Sequence, residues 1–341
     1  MKKYTLSKNY KERISAGNKA KTDIEHILTD LGYVNAGLHQ ATYQNPVLGF
    51  FHTLISVIKS PFTLSTGDVL LVQYPFKKYY GLICRMAHWK KAKVITLIHD
   101  LGSFRRKKLT IAEELKRLKS SDVLIVHNEK MKEWLLRQGY DKPMIPLEIF
   151  DYLSSSVPAV ANETKGIYKV VYAGALSYKK NGFLYKIDPV IQHWKLSLYG
   201  KGITENLTSH KVYWDYKGFI PSDRLIETVD GNFGLVWDGD ATTTCSGAFG
   251  EYLKYNNPHK TSLYIRCHLP VIIWEKAALA PFVSQNRIGL CINSLDELDS
   301  KLFSLSSEAY AEMKQNVMKI SQRLSSGYYT IKAIQEAEKL V

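Results

Sequence analysis

Residues 256–274 read NNPHKTSLYIRCHLPVIIW and set Asn257, Pro258, His259, Lys260 and Thr261 side by side, ahead of a stretch of helical period and an apolar, strand-like ending. A proline in the first turn gives up an N–H that a helix does not use. The N–H groups of His259, Lys260 and Thr261 would then point out of the helix end. Such amides, with the helix dipole behind them, favour an anion. A lysine there opposes the dipole unless an anion lies between, so Lys260 turns the reading from a plain capped helix towards a diphosphate.

Other groups are placed to share that chemistry. AKVITLIHDLGSFRRKK sets His99 and Asp100 at the end of an apolar run. A carboxylate there can take a proton from an attacking hydroxyl, with His99 bonding substrate or orienting Asp100. It can equally cap the following turn. Arg105, Arg106, Lys107 and Lys108 come next, either as a solvated face or as contacts to an anionic acceptor. In SAGNKAKTDIEHIL, Gly17 and Asn18 open a helix of good period, where backbone amides can hold phosphate or Asn18 can act as an ordinary cap. YAGALSYKK offers Gly174, then Lys179 and Lys180, a close backbone approach with cations beside it. Tyr216 and Phe219 in YKGFIPSDRL present rings on which a base can stack. Asp238-Gly239-Asp240 has the form of a metal-binding DxD. The lysines already present could neutralise a diphosphate without an ion.

These groups need elements to hold them, and the sequence supplies a repeated unit. GDVLLVQYPF (67–76), AKVITLIHD (92–100) and SDVLIVHN (121–128) are short apolar runs, each followed by a segment of helical period. That alternation implies parallel strands covered by helices. After a proline- and serine-rich stretch over residues 151–166 the rhythm restarts, with YKVVYAG, WKLSLYG, VYWDYKG, FGLVWDG, LPVIIW and IGLCIN. The expected fold is α/β, two doubly wound Rossmann-like domains. The first spans 1–155 and the second 166–315, the second carrying the strand-end turns that argue for a nucleotide. A helical tail, broken around Ser325, Ser326 and Gly327, crosses back over residues 316–341 to pack on the first. Ligands of such sheets lie beyond the carboxyl ends of the strands, so the chemistry belongs at strand ends facing a cleft between the domains.

The bulk composition fits. The 341 residues are 45% hydrophobic and 23% charged, a globular composition, with a net charge of +14. Residues 1–150 carry 25 Lys and Arg against 13 Asp and Glu, a net +12; the other 191 carry 21 against 19, a net +2. A basic first half points to an anionic partner. Its lysines are interrupted by acidic and apolar residues, which argues against nucleic acid. Cys84, Cys245, Cys267 and Cys291 are scattered without a CxxC pair, as buried thiols are. No run approaches the ~18 apolar residues of a spanning helix. The expectation is a cytoplasmic protein lying against the inner face of the membrane.

Together the order YxGxL, YxG, GLVWDG and EYLKYNNPHKTSLYIRCHLPVIIW, with IHDLGSFRR before it and SSGYYTIKAI after it, resembles the bacterial β-1,6-galactofuranosyltransferase-like group of GT-B glycosyltransferases. That group includes glucosyltransferases that extend glycans on serine-rich adhesins. The resemblance implies a donor sugar carried on UDP, no required metal or other cofactor, and a glycan or lipid-linked acceptor. It implies Lys260 on the diphosphate with Asn257 and Thr261 nearby, Lys179 near phosphate, Tyr216 and Phe219 near the base, and Gly17 closing over the donor. It also implies a homodimer or homotetramer. The first residues depart from the group in lacking a clear initial strand. Two other readings stand beside it, a nucleotide-sugar epimerase and a non-enzymatic polyanion-binding protein. The first would need a carboxylate pair around the sugar ring, which the sequence does not offer.

Overall fold

The computed structural model describes residues 1–7, 17–39, 41, 43, 45–76, 79–105, 109–159, 167–203 and 214–341. The basic stretch 8–16, the run Arg106, Lys107 and Lys108, and the end of the serine-rich connector at 160–166 lie outside the described residues.

The chain forms two units. One comprises residues 1–151 together with 327–341; the other is the continuous stretch 152–326. The return to the first unit falls at Gly327, at the break that the sequence shows inside the segment 316–341. Helix Ser307–Ser325 ends there, Gly327 takes a left-handed turn with φ of 75°, and helix Tyr328–Glu338 follows. The longer helix packs on helix His259–Arg266 in the second unit and the shorter one on strands of the first.

The first unit holds β1 (Lys3–Thr5), β2 (Val34–Asn35), β3 (Val69–Tyr74), β4 (Lys93–Ile98), β5 (Val123–Val126) and β6 (Met144–Pro146), all parallel in the order β2-β1-β3-β4-β5-β6. Val69 and Leu71, Ile95 and Leu97, and Val123 and Ile125 alternate onto one face, against Ile24 and Leu28 of helix Lys19–Asp30 and Ala333, Ile334 and Ala337 of the last helix. Side chains of a strand alternate between faces, and β3, β4 and β5 are buried on both, which is why their sequences read as unbroken apolar runs.

The expectation of no initial strand is overturned by β1. It pairs Lys3, Tyr4 and Thr5 with Val69, Leu70 and Leu71. Lys3 is tolerated there because its ammonium meets Glu338 of the last helix at 2.8 Å, and Tyr33 donates to the other oxygen of that carboxylate at 2.7 Å. Asp151 closes this unit: its carboxylate accepts from the Tyr329 and Thr330 N–H groups, at 3.3 and 2.6 Å.

The second unit holds β7 (Tyr168–Ala175), β8 (Trp194–Lys201), β9 (Trp214–Gly218), β10 (Phe233–Val236), β11 (Val271–Trp274) and β12 (Gly289–Ile292). All are parallel in the order β9-β8-β7-β10-β11-β12. The chain runs outward from β7 to β9, then reverses to β10. The switch point of this dinucleotide-type order lies between β7 and β10, and a ligand belongs beyond their carboxyl ends.

Candidate functional site

The residues at that switch point come from three segments. Tyr172 is in β7, Trp237 and Asp238 follow β10, and Lys260 opens helix His259–Arg266, which connects β10 to β11. The helix is pressed onto the sheet: its Tyr264 hydroxyl accepts from the Ala173 N–H at 2.8 Å, and its ring occupies the space over Gly234. A Cβ at Gly234 would stand 2.2 Å from Tyr264 Cγ. Only glycine permits that approach.

Lys260 Nζ lies 2.7 Å from Asp238 Oδ1, 3.1 Å from the Tyr172 hydroxyl and 3.3 Å from the Trp237 carbonyl. An ammonium has three hydrogens, and here each has an acceptor. The ion also sits 4.5 Å over the Tyr172 ring. Tyr172 donates its own hydrogen to Asp238 at 3.3 Å, and burial pushes its hydroxyl well above the ordinary phenol range. Burial alone would raise the Asp238 carboxyl, but the charges of Lys260 and Lys180, with hydrogen bonds from Lys260 and Tyr172, hold it below the usual carboxylate value.

This geometry changes the argument drawn from Lys260. The anion that a lysine at a helix start requires is supplied within the protein by Asp238. Pro258 is the cap residue, not part of the first turn, with the helix beginning at His259. The Thr261 N–H donates to the Pro258 carbonyl at 2.9 Å, so it does not point outward as expected. The Thr261 hydroxyl is buried and has no hydrogen-bond partner among the described residues. Asn257 is buried, and the His259 ring stacks on Tyr152 at 4.8 Å.

Of the neighbouring lysines, Lys180 is the one whose charge reaches Asp238; its ammonium lies 5.8 Å over the Phe249 ring. Lys179 is exposed on the same short helix, Tyr178–Asn181. Gly174 is exposed at the end of β7, in register with Gly200. Tyr216 and Phe219 stand at the β9 edge; Tyr216 donates to the Gly200 carbonyl at 3.2 Å, and Lys201 lies 4.4 Å over the Phe219 ring. The Asp-Gly-Asp segment is a tight turn. Gly239 has φ of 114°, and a Cβ there would meet the Ser246 carbonyl oxygen at 2.2 Å. Asp238 is committed to Lys260. Among the described residues no group of three or more His, Cys, Asp or Glu side chains is placed to hold a metal ion.

In the first unit, His99 and Asp100 follow β4 at its carboxyl end. His99 Nε2 lies 2.6 Å from Gln73 Oε1 of β3, so the ring donates there. The His99 ring stacks on Phe150 at 5.5 Å, and His127 meets the same Phe150 edge-on at 4.9 Å. Burial takes His127 down to about 3, against backbone hydrogen bonds at Ile98 and His99, and it stays neutral. The turn after Asp100 is held from below by Glu114. That carboxylate accepts from the Gly102 N–H at 2.7 Å, the Ser103 N–H at 2.9 Å, the Tyr74 hydroxyl at 2.9 Å and the Ser103 hydroxyl. Gly17 lies in the connection after β1; a Cβ there would meet nothing within 4 Å. Asn18 occupies the cap position of helix Lys19–Asp30 and its carbonyl takes the first helical bonds, without a side-chain cap bond.

Sequence reading missed Tyr172, Gln73, His127 and Glu114, and named Lys180 beside Lys179 without its link to Asp238. Tyr172 had a visible signal, a tyrosine two residues before the glycine that ends a strand. Glu114 had none, because an acid in the first turn of a helix is ordinary.

Two doubly wound units in one chain, the second with the dinucleotide order, are the architecture of the GT-B fold. The lipopolysaccharide outer core galactosyltransferase WaaB in its apo form shares the fold with a TM-score of 0.58 at 12% identity, over 99% of each chain. The lipopolysaccharide glycosyltransferase WaaG does so with 0.50 at 10%, over 97% of this chain and 99% of its own. Residues 3–149 match the glucosyltransferase 3-like N-terminal domain and residues 170–337 the glucosyltransferase 3-like C-terminal domain. The β-1,6-galactofuranosyltransferase WbbI of Escherichia coli (strain K12) is 35% identical over 95% of this chain and 94% of its own. Glucosyltransferase 3 of Streptococcus gordonii is 24% identical over 80% and 79%. The chain belongs to the glucosyltransferase 3-like family and is a glycosyltransferase. The epimerase and polyanion-binding readings fall with that assignment.

Proposed function

We propose that the protein transfers a hexose, galactofuranose ahead of glucose or galactose, from a UDP-sugar to a glycan or lipid-linked acceptor in the assembly of cell-surface polysaccharide or glycoprotein. The single observation that carries the donor half is the Lys260, Asp238 and Tyr172 cluster at the switch point between β7 and β10. The sugar follows the E. coli relative's name.

In this reading the diphosphate lies against the start of helix His259–Arg266. Lys260 exchanges Tyr172 or the Trp237 carbonyl for a phosphate oxygen while Asp238 keeps the ammonium in place. Lys180 adds a second positive field, Lys179 an exposed third cation, and Gly174 lets the phosphates approach the backbone. Tyr216 and Phe219 stack near the base. As the glycosidic bond breaks, negative charge builds on the diphosphate and the fixed cations bind it more strongly, which lowers the barrier. Asp100 takes the acceptor proton if the anomeric centre inverts; if configuration is retained it positions the acceptor. No metal is required, since the lysines offset the diphosphate. The basic half contacts the inner face of a membrane.

Calorimetric titration of UDP in EDTA at moderate salt tests the donor site, followed by a donor-hydrolysis screen with UDP-galactofuranose, UDP-galactose and UDP-glucose. Absence of UDP binding by the wild-type protein would refute the assignment. NMR of the product anomer assigns the role of Asp100, and light scattering on the same samples reads the homodimer or homotetramer that family resemblance implies.

A further inference from the structure

Helix Pro46–Thr63 is the most apolar exposed element of the first unit. Val47, Phe51, Ile55, Ile58 and Phe62 recur at spacings of four and three, which places them on one helical face, and all are exposed, Phe62 to 78%. The opposite face carries the buried Ser56, Val57 and Ser60. Helix Tyr80–Trp89 packs alongside and adds exposed Leu82 and Trp89, the latter 75% exposed. The two helices connect β2 to β3 and β3 to β4, so both run back to the amino ends of the strands, and Phe62 and Trp89 lie at the same end of the sheet. An apolar surface of this kind marks an interaction site.

The charges choose the partner. Between residues 46 and 99 the sequence has Lys59, Lys77, Lys78, Arg85, Lys90, Lys91 and Lys93 against a single acid, Asp68. Lys77 and Lys78 lie outside the described residues. Asp68 is buried and accepts from the N–H groups of Lys2 and Ser65, and among the described residues it forms no ion pair. A second copy related by a twofold axis would set these cations against themselves; the acid that the described residues place beside them, Asp122, is already engaged by His88 at 2.9 Å and by the Val94 N–H at 2.8 Å. An anionic bilayer answers both properties: lipid headgroups pair with Lys59, Arg85 and Lys91, and the apolar stripe enters the acyl boundary.

We propose that helix Pro46–Thr63, with Leu82 and Trp89 beside it, is a membrane-docking face for anionic lipid. The proposal rests on the reading of the chain as a transferase working at a membrane, and it names the element and the mode of contact. Docking is through apolar insertion as well as charge, which sets it apart from a purely electrostatic association of the basic half.

The test is flotation of the full chain with vesicles of phosphatidylcholine alone and of phosphatidylcholine with about a third phosphatidylglycerol. The comparison is the triple variant Phe51→Ser, Ile58→Ser, Phe62→Ser, all three exposed, with its thermal unfolding checked. The expected result is binding to the anionic vesicles, weakened at least about tenfold in the variant, and quenching of Trp89 by brominated lipid that disappears in Trp89→Phe. UDP titration of the same samples keeps the donor assignment separate, because the variant should bind UDP as the wild type does. Wild-type protein that stays unbound to anionic vesicles overturns the proposal. So does equal binding by the variant. A wild-type dimer that the variant converts to monomer without any vesicle binding overturns it in favour of a second copy.

Discussion

The Lys260–Asp238 pair has two separable roles, and two substitutions distinguish them. The side chains are 11% and 9% exposed, so Lys260→Met leaves a carboxylate in a dry site with the Tyr172 hydroxyl bonded to it and the more distant Lys180 charge as its remaining cation. Stranding one partner of a buried ion pair costs about 3–5 kcal/mol. For a unit of this size that is a fall in its melting temperature of roughly 6–20 °C. Adding Asp238→Asn removes the stranded charge and should restore all but about 1 kcal/mol. The sign with pH follows. In the wild type Asp238 is held below its ordinary value, so its contribution is present above about pH 4 and is lost as pH falls through its lowered value. In Lys260→Met the carboxyl rises instead, so the destabilisation shrinks on acidification. Differential scanning calorimetry from pH 4 to 8 reads the stability, and UDP titration reads the ligand. The expected outcome is that the double variant recovers stability without recovering UDP affinity. Recovery of both would show that Lys260 acts on the nucleotide only by keeping Asp238 paired. No loss of stability in the single variant would mean that the pair does not form.

Four further outcomes are expected. Asp100→Asn should lower turnover by about 10²–10⁴-fold with little change in UDP affinity if the reaction inverts, as steady-state rates with donor and acceptor will show. Glu114→Gln presents an amide to N–H donors of the Gly102 turn and should destabilise the first unit by about 1–3 kcal/mol in urea unfolding, lowering turnover more than UDP binding. Gly234→Ala forces the Tyr264 ring off the sheet and should cost about 1–3 kcal/mol or more, with UDP binding weakened as Lys260 shifts. Asp151 is raised to about 7, by burial foremost and by Asp23, against its hydrogen bonds at Thr330 and Tyr329. The folded state therefore holds that proton more tightly. Its contribution is complete below about pH 4 and is lost as pH rises towards 7, a swing on the order of 4 kcal/mol. Asp151→Asn should remove that slope from a plot of melting temperature against pH; an unchanged slope would place its origin elsewhere.

Among the described residues nine of twelve strands are readable as local runs, most plainly β3, β4, β5, β10 and β11, because a parallel strand buried on both faces repeats its environment at every residue. The other three, β1, β2 and β6, are two or three residues long, and β1 carries Lys3, whose justification is Glu338 at the far end of the chain. No window along the sequence contains both. The site shows the same division. Lys260, Asp238, His99 and Asp100 stand out by type and by position at element ends, but that Lys260 answers Asp238 is a fact of the fold, 22 residues apart in the chain. Glu114 and Lys180 are visible as residues and anonymous as functions, since what distinguishes them is which turn or which carboxylate the fold brings beside them.

The discontinuity of the first unit has a consequence for how the protein is made. Its first 151 residues leave the ribosome early, yet their sheet lacks Ala333, Ile334 and Ala337, and Lys3 and Tyr33 lack Glu338, until the last helix is synthesised. The stretch 152–326 depends on no such latecomer. The half translated first is thus the half completed last, and a ribosome stalled before residue 328 would carry a finished nucleotide-type sheet beside an unfinished partner, its Ile24 and Leu28 face open to chaperones and proteases.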